Sequence, residues 1–484
     1  MSDTQSVSTR RQFVTHASAA AMALSRTAPR QDDAGAPART WSPGPYLFLD
    51  LALVAESVQL RREVTPFARE PEPVITGRED GCFQPWVTVI RDPVTRRFRV
   101  WYDTPRSPGN AGESSIATME SEDGLRWLRP HRVLRDPAPI QYGASVIDEG
   151  PRYPDPARRY KLAWWKNGGM QVAASSDGLN WRPLADGVVL RTNHDITGID
   201  WDPIRRRYIA FVSQVSASGR YRGLRIPHQS VSDDLVHWRA PWPIVTPDPG
   251  AAIERGETQF YGMSALLPRG ELLVSFVKVL RDDLNCEADK TAAELHDRDR
   301  PFAGIGYTVA AWSSDGVTWR RENTPSLDRN PTPGTWDRAM AWADDQLLID
   351  DRVRLYYGGY RWGHKAERFT GRQIGVAHLP RDRYVGYVAG DAEGWMRTPY
   401  RTLGAVRRIT VNASVAPGGD LRARLVGADG RAVDGFDWHD CGPLTGDRVR
   451  IPVAFRGRLA AIAGRPARLE FRLRRARLYS FDLA

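Results

Sequence analysis

Four copies of one seven-residue phrase, Ser-x-Asp-[Gly/Leu]-[Leu/Val]-x-Trp, constrain this chain more than any other feature. They occupy residues 121–127, 175–181, 232–238 and 313–319, with tryptophans 54, 57 and 81 positions apart. A turn-forming pair followed by an aromatic at a fixed offset is one hairpin built again and again. Repeats at this period predict an array of similar β-sheets, and a propeller fits better than an unclosed sandwich of like hairpins.

A second phrase supplies the blade count. A tight turn followed by an apolar, aromatic-rich run recurs at 91–102, 154–165, 201–212, 268–276 and 350–357. Asp-Pro and Arg-Gly suit hairpin turns, and β-branched and aromatic residues suit a pleated, half-buried surface. Five units follow, the fifth carrying a degenerate copy of the tryptophan phrase at 374–384. The predicted fold is all-β: a five-bladed β-propeller over 46–392, followed by a small antiparallel β-sandwich over 393–484, where apolar runs alternate between Gly/Asp turns. The polar stretch 282–300 is an insertion between blades four and five, placed to cover the funnel.

Charge does not point to nucleic acid. The net charge is +10, but only five of 68 basic residues are Lys, and the arginines are scattered among 58 acids. A nucleic-acid site needs a focused stripe instead. Three cysteines (Cys82, Cys286, Cys441) are too few for a disulfide framework and lack metal-ligand spacing, which predicts buried thiols. No run of eighteen apolar residues predicts a membrane span. Residues 1–40 stand apart: Arg10-Arg11-Gln-Phe13-Val14 precedes a short Ala-rich segment, 17–24. This resembles a bacterial twin-arginine signal and implies export to the periplasm or beyond, with 1–40 outside the fold.

A propeller aims the innermost strand of every blade at one funnel. The expected funnel segments hold Gln84 and Trp86 (blade one), Tyr142 (two), His194 and Asp195 (three), Glu257, Gln259 and Tyr261 (four), and Trp336 and Asp337 (five), with Asp50 just upstream. Acids facing a packed core are costly unless paired or functional. Glycosidic cleavage needs two carboxyl groups, one protonated and one ionised, and crowding several acids separates their pKa values. Asp195, Glu257, Asp337 and Asp50 are therefore the candidate catalytic acids. Trp86, Gln84, His194, Gln259, Tyr261, Trp336, Arg361 and His364 are candidates for binding sugar. The acids inside the tryptophan phrases (Asp123, Asp177, Asp234, Asp315) read as turn formers. No cofactor is required; a calcium or zinc ion beside His194 and Asp195 is an open alternative.

The Asp-Pro turns, the Ser-x-Asp-Gly-x-x-Trp hairpins and the inner-strand acids together resemble the five-bladed propeller glycosidases of glycoside hydrolase families 32, 43, 68 and 117. Leu47-Phe-Leu-Asp50, Glu257-Thr-Gln-Phe-Tyr-Gly-Met263, Trp336-Asp337 and the ending Leu478-Tyr-Ser-Phe-Asp-Leu483 carry a closer resemblance to a bacterial family-32/43-like group with a C-terminal β-sandwich. The resemblance implies Glu257 as general acid, Asp50 as base or nucleophile and Asp195 as the tuning acid. Two departures stand out: the Asn-Asp-Pro-Asn-Gly opening of family 32 is missing, and Gln84 stands where family 43 has a carboxylate. The expected function is an exported glycoside hydrolase acting on an oligo- or polysaccharide. The alternatives are a non-catalytic carbohydrate-binding propeller, a glycoside phosphorylase, and a partner-binding propeller whose funnel acids are neutralised by arginines. Nothing in the chain fixes the oligomeric state.

Overall fold

The tryptophan phrase folds as one turn in all four places. In the first copy, Asp123 Oδ1 accepts from the backbone N–H groups of Leu125 and Arg126, both at 2.8 Å, and Gly124 N–H donates to Ser121 Oγ at 2.9 Å. The Asp177, Asp234 and Asp315 turns repeat this pattern. Burial would raise the Asp177 carboxyl, but the amides of Asn180 and Leu179 outweigh it and hold its pKa below the usual range. The Asp-Pro turns are built likewise, with Asp92 and Asp202 each accepting from backbone amides two and three residues on.

A computed structural model describes residues 39–107, 109–110, 112–247 and 258–484. The expected export signal lies outside these residues. Five blades of antiparallel strands follow, blades four and five being joined into one sheet by a single parallel bridge between Gly306 and Met340. Their inner strands are Gln84–Arg91, Tyr142–Asp148, Thr197–Asp202, Thr258–Arg269 and Met340–Ile349. Blade five closes the ring with an early segment, Ala377 pairing with Arg69 and His378 with Ala68. Inner strands are joined around the axis through side chains: Thr88 Oγ1 donates to Ala144 O, Ser145 Oγ to Ile199 O, and Ser264 Oγ to Ala343 O, while Val89 N–H donates to Asp345 Oδ2. The propeller fold is as expected.

Three of the four tryptophan-phrase turns are also latches to the preceding blade. Trp101 Nε1 and Arg99 Nη1 of blade one donate to the carbonyls of Gly178 and Asp177 in blade two. Tyr356 and Arg354 of blade five reach Gly124 and Asp123 of blade one, and Arg205 and Arg207 of blade three reach Ser314 and Gly316 of blade four. In the degenerate fifth copy an ion pair takes over, with Arg269 holding Asp382 at 2.6 and 2.7 Å.

The remaining sheet differs from the expected boundaries. Its long C-terminal strand, Pro466–Leu483, pairs with Ile409–Gly427 and also with the early strand Gly44–Leu47. Glu56–Val58 and Arg61–Val64 join the same sheet through Gly394–Arg397 and Val385–Ala389. Residues 44–64 therefore belong to this sheet and not to the propeller. Trp41, Tyr46 and Phe48 share one core with Phe471 and Phe481, so apolar burial is what draws the early segment there. All three cysteines are free and buried.

Candidate functional site

β-Bulges re-aim side chains, and the inner strands of blades one, two, four and five all carry one. Their starting ends, with the loops that precede and follow them, gather the polar residues of the funnel mouth.

Tyr261 is the hub of that mouth. Its ring stacks on Trp342 at 4.6 Å, meets His364 edge-on at 4.9 Å and His194 at 5.8 Å, and carries the Arg225 guanidinium at 5.3 Å. Burial, with the charge of Asp195, pushes the Tyr261 hydroxyl far above its usual pKa, so it stays protonated. A polar chain runs around the hub. Arg225 Nε donates to His194 Nε2 at 2.8 Å, and its Nη1 to Gln259 Oε1 at 2.7 Å. Gln259 Nε2 donates to Asp282 Oδ2 at 3.1 Å, and Arg300 Nη1 to Asp282 Oδ1 at 2.9 Å.

His194 is held neutral. Burial, reinforced by Arg225 and Lys365 and opposed by Asp195, takes its pKa down to about 4. The Arg225 bond to Nε2 leaves the ring proton on Nδ1, 3.3 Å from Asp195 Oδ1. Neither of these two atoms has a hydrogen-bond partner. The Asp195 side chain is 27% exposed, whereas Asp282 is fully engaged by Arg300 and Gln259. Asp195 is thus the carboxylate at the mouth left for a ligand. The insertion covers this region: Cys286, Ala292 and Leu295 are buried in one cluster with Tyr261, Trp342 and Tyr360.

Blade one contributes Gln84 and Trp86 as expected, though both are engaged. Gln84 Oε1 accepts from Arg372 Nη1, and Trp86 lies under the Lys278 ammonium at 4.2 Å. His364 is buried, with its Nδ1 unpartnered. Arg361 is exposed and lies over Trp362.

Three expected assignments change. Asp50 does not face the funnel: it caps the short helical turn Leu51–Leu53, accepting from Ala52 N–H at 3.0 Å, and is placed by its chain neighbours in the C-terminal sheet. Asp337 is fully buried in blade five, where it accepts from Tyr357 Oη at 2.9 Å and pairs with Arg69 at 3.3 Å. It clamps the segment that closes the ring. Trp336 lies flat on that blade, stacked on Tyr357, with its indole N–H bonded to Pro71 O. The inner strand of blade five starts later, at Met340. Glu257 lies outside the described residues.

Other residues were not singled out from sequence. A cavity of about 510 Å³ runs along the axis, lined by all five inner strands and by Asp200, Asp344 and Asp345. Burial raises Asp344 to about 6, despite its pairing with Lys278, and Asp345 to about 7. Asp103, with no solvent exposure, accepts from Gly143 N–H and leaves Oδ1 unpartnered. Consecutive acids in a β-strand should face opposite ways, so Asp344-Asp345 inside an apolar run was the available signal for a bulge. His194, Asp195, Gln259 and Tyr261 do not line this cavity; Trp86, Ile196 and Met263 line its mouth-side end. Among the described residues no group of three or more His, Cys, Asp or Glu is arranged to hold a metal ion. No described helix is long and apolar enough to cross a membrane.

No protein-family profile matches the chain, and no curated protein is similar to it. Solved structures are similar at a distance. An N-acetylgalactosamine deacetylase from F. plautii in complex with blood group B trisaccharide has 15% identity and TM-score 0.44, over 67% of this chain and 96% of that one. A beta-1,2-mannobiose phosphorylase from Listeria innocua has 12% identity and TM-score 0.43, over 65% and 96%. A glycoside hydrolase family 43 arabinoxylan arabinofuranohydrolase from Bacillus subtilis has 10% identity and TM-score 0.41, over 85% and 99%. Likenesses this loose identify no residue and no reaction.

Proposed function

We propose that the protein is a glycoside hydrolase, exported by the twin-arginine signal, whose site is the funnel mouth of blades three to five. One observation carries the reading: Asp195 is a part-open carboxylate whose buried oxygen lies against a neutral imidazole, beside an aromatic hub. With Asp50 and Asp337 engaged elsewhere, Asp195 takes the ionised role, as base or nucleophile. Glu257, one residue before the blade-four inner strand, is the proton donor. Gln259 and Arg225 hold the mouth in register, and neutral His194, with its Nδ1 3.3 Å from Asp195 Oδ1, orients that carboxylate.

The test is a screen of aryl glycosides and polysaccharides with wild type, Asp195→Asn and Glu257→Gln. Turnover by wild type that drops at least about a hundredfold in both variants supports the assignment. Equal turnover in all three removes these residues from the chemistry. Binding without turnover by wild type makes the protein a carbohydrate-binding propeller.

A further inference from the structure

Among the described residues, the mouth holds more cationic charge than its acids neutralise. Arg372 is 1% exposed, yet its hydrogen bonds go to uncharged oxygens: Phe83 O, Gln84 Oε1 and His364 O. Its Nε has no partner, and neither has that of Arg368, whose guanidinium lies 5.2 Å over the Phe83 ring. Lys365 follows His364 and is open to solvent. Arg225 and His364 both contact the Tyr261 ring, and Arg225 is bonded to neutral His194 and Gln259. Among the described residues none of these four cations has a carboxylate within ion-pair distance, although Asp282 and Asp297 pair with Arg300 nearby.

A buried guanidinium without a counter-ion is costly, and clustering it with further cations adds repulsion. Loss of hydration, with Arg368 and Arg372 close by, brings the Lys365 ammonium down to about 8. An arrangement of this kind is relieved when an anion arrives. Guanidinium forks and an ammonium suit a planar or tetrahedral oxyanion.

We infer that Lys365, Arg368, Arg372 and Arg225 form an oxyanion subsite beside Asp195, and that the substrate is an acidic sugar bearing a carboxylate or sulfate. The inference rests on the glycoside reading for its sugar and on the cations alone for its charge. Free phosphate presents the same chemistry from another source.

The experiment uses the full chain and its Lys365→Met/Arg368→Gln variant, both residues reaching solvent, with circular dichroism to confirm the fold. Binding is measured on an array pairing uronate- or sulfate-bearing oligosaccharides with their neutral parents, and by calorimetry with inorganic phosphate. The expected result is an acidic member bound about tenfold or more tighter than its parent, with the preference lost in the variant and weakened by salt. Phosphate binding that depends on Lys365 and Arg368, beside neutral-sugar binding, keeps the subsite and assigns it to free phosphate. Phosphate binding without any sugar keeps the subsite and removes the glycoside reading. Equal binding of acidic and neutral members, unchanged in the variant and without phosphate binding, overturns the subsite and leaves the glycoside reading standing. No binding of any probe overturns both.

Discussion

At the scale of single residues, the buried charges are the sharpest features. Lys278 and Asp344 form an ion pair against the Trp86 ring, both nearly inaccessible to solvent. Removing one partner leaves the other buried alone, so Lys278→Met should cost about 3–5 kcal/mol at neutral pH, read as a shift in the urea midpoint. Asp345 gives a pH signature. Burial is the main cause of its rise from 3.8 to about 7, with the Val89 amide pulling the other way. A folded-state pKa above the unfolded one means that the folded chain keeps the proton longer. Its contribution to stability is fully present below 3.8 and is lost as pH rises through about 7. Asp345→Asn keeps an acceptor for Val89 and removes the titration. Its denaturation midpoint should therefore gain on wild type between about pH 4.5 and pH 7.5. A constant difference across that range would show that Asp345 does not titrate this way.

At the scale of the element, the repeated turn is both a fold and a joint. Gly178 has φ +73°, and a Cβ there would lie 2.9 Å from the Trp101 ring of the neighbouring blade. Gly178→Ala should lose about 1–3 kcal/mol, from backbone strain and a spoiled latch together. Thermal unfolding checks this, and a change within a few tenths would contradict it. The recurring Asp and Trp spacing made five blades legible because hydrogen bonding inside a turn is local. What the turns do to each other was not legible, since the donors, Trp101, Tyr356 and Arg205, come from another repeat. The inner strand of blade five was placed too early for a related reason. Trp336-Asp337 reads like a funnel segment, but its partners, Arg69 and Pro71, lie more than 260 residues away in sequence. The candidate site was legible in part: His194, Asp195, Gln259, Tyr261 and His364 converge. The cations were missed because Lys365 and Arg368 lie in the loop between two strands of blade five, which carries no periodicity, while Arg225 and Arg372 sit at the first positions of their strands.

At the scale of the whole molecule, ring closure decides everything else. Residues 68–69 complete blade five, while residues 44–64 pair into the C-terminal sheet, so one early segment ties the propeller to its neighbour. Arg69→Ala removes the charge partner of fully buried Asp337 within that closure. It should lower stability by about 3 kcal/mol or more without altering the ligand preference of the mouth, as paired denaturation and binding assays would show. The central claim is that sugar binds at the mouth of blades three to five and not in the axial cavity. Hydrogen exchange of Asp195→Asn, with and without a bound oligosaccharide, tests this most directly. Slowed exchange is expected at 192–197, 258–263 and 361–369. Slowing confined to 91–96 and 344–349, around the cavity and its far hairpin, would contradict it.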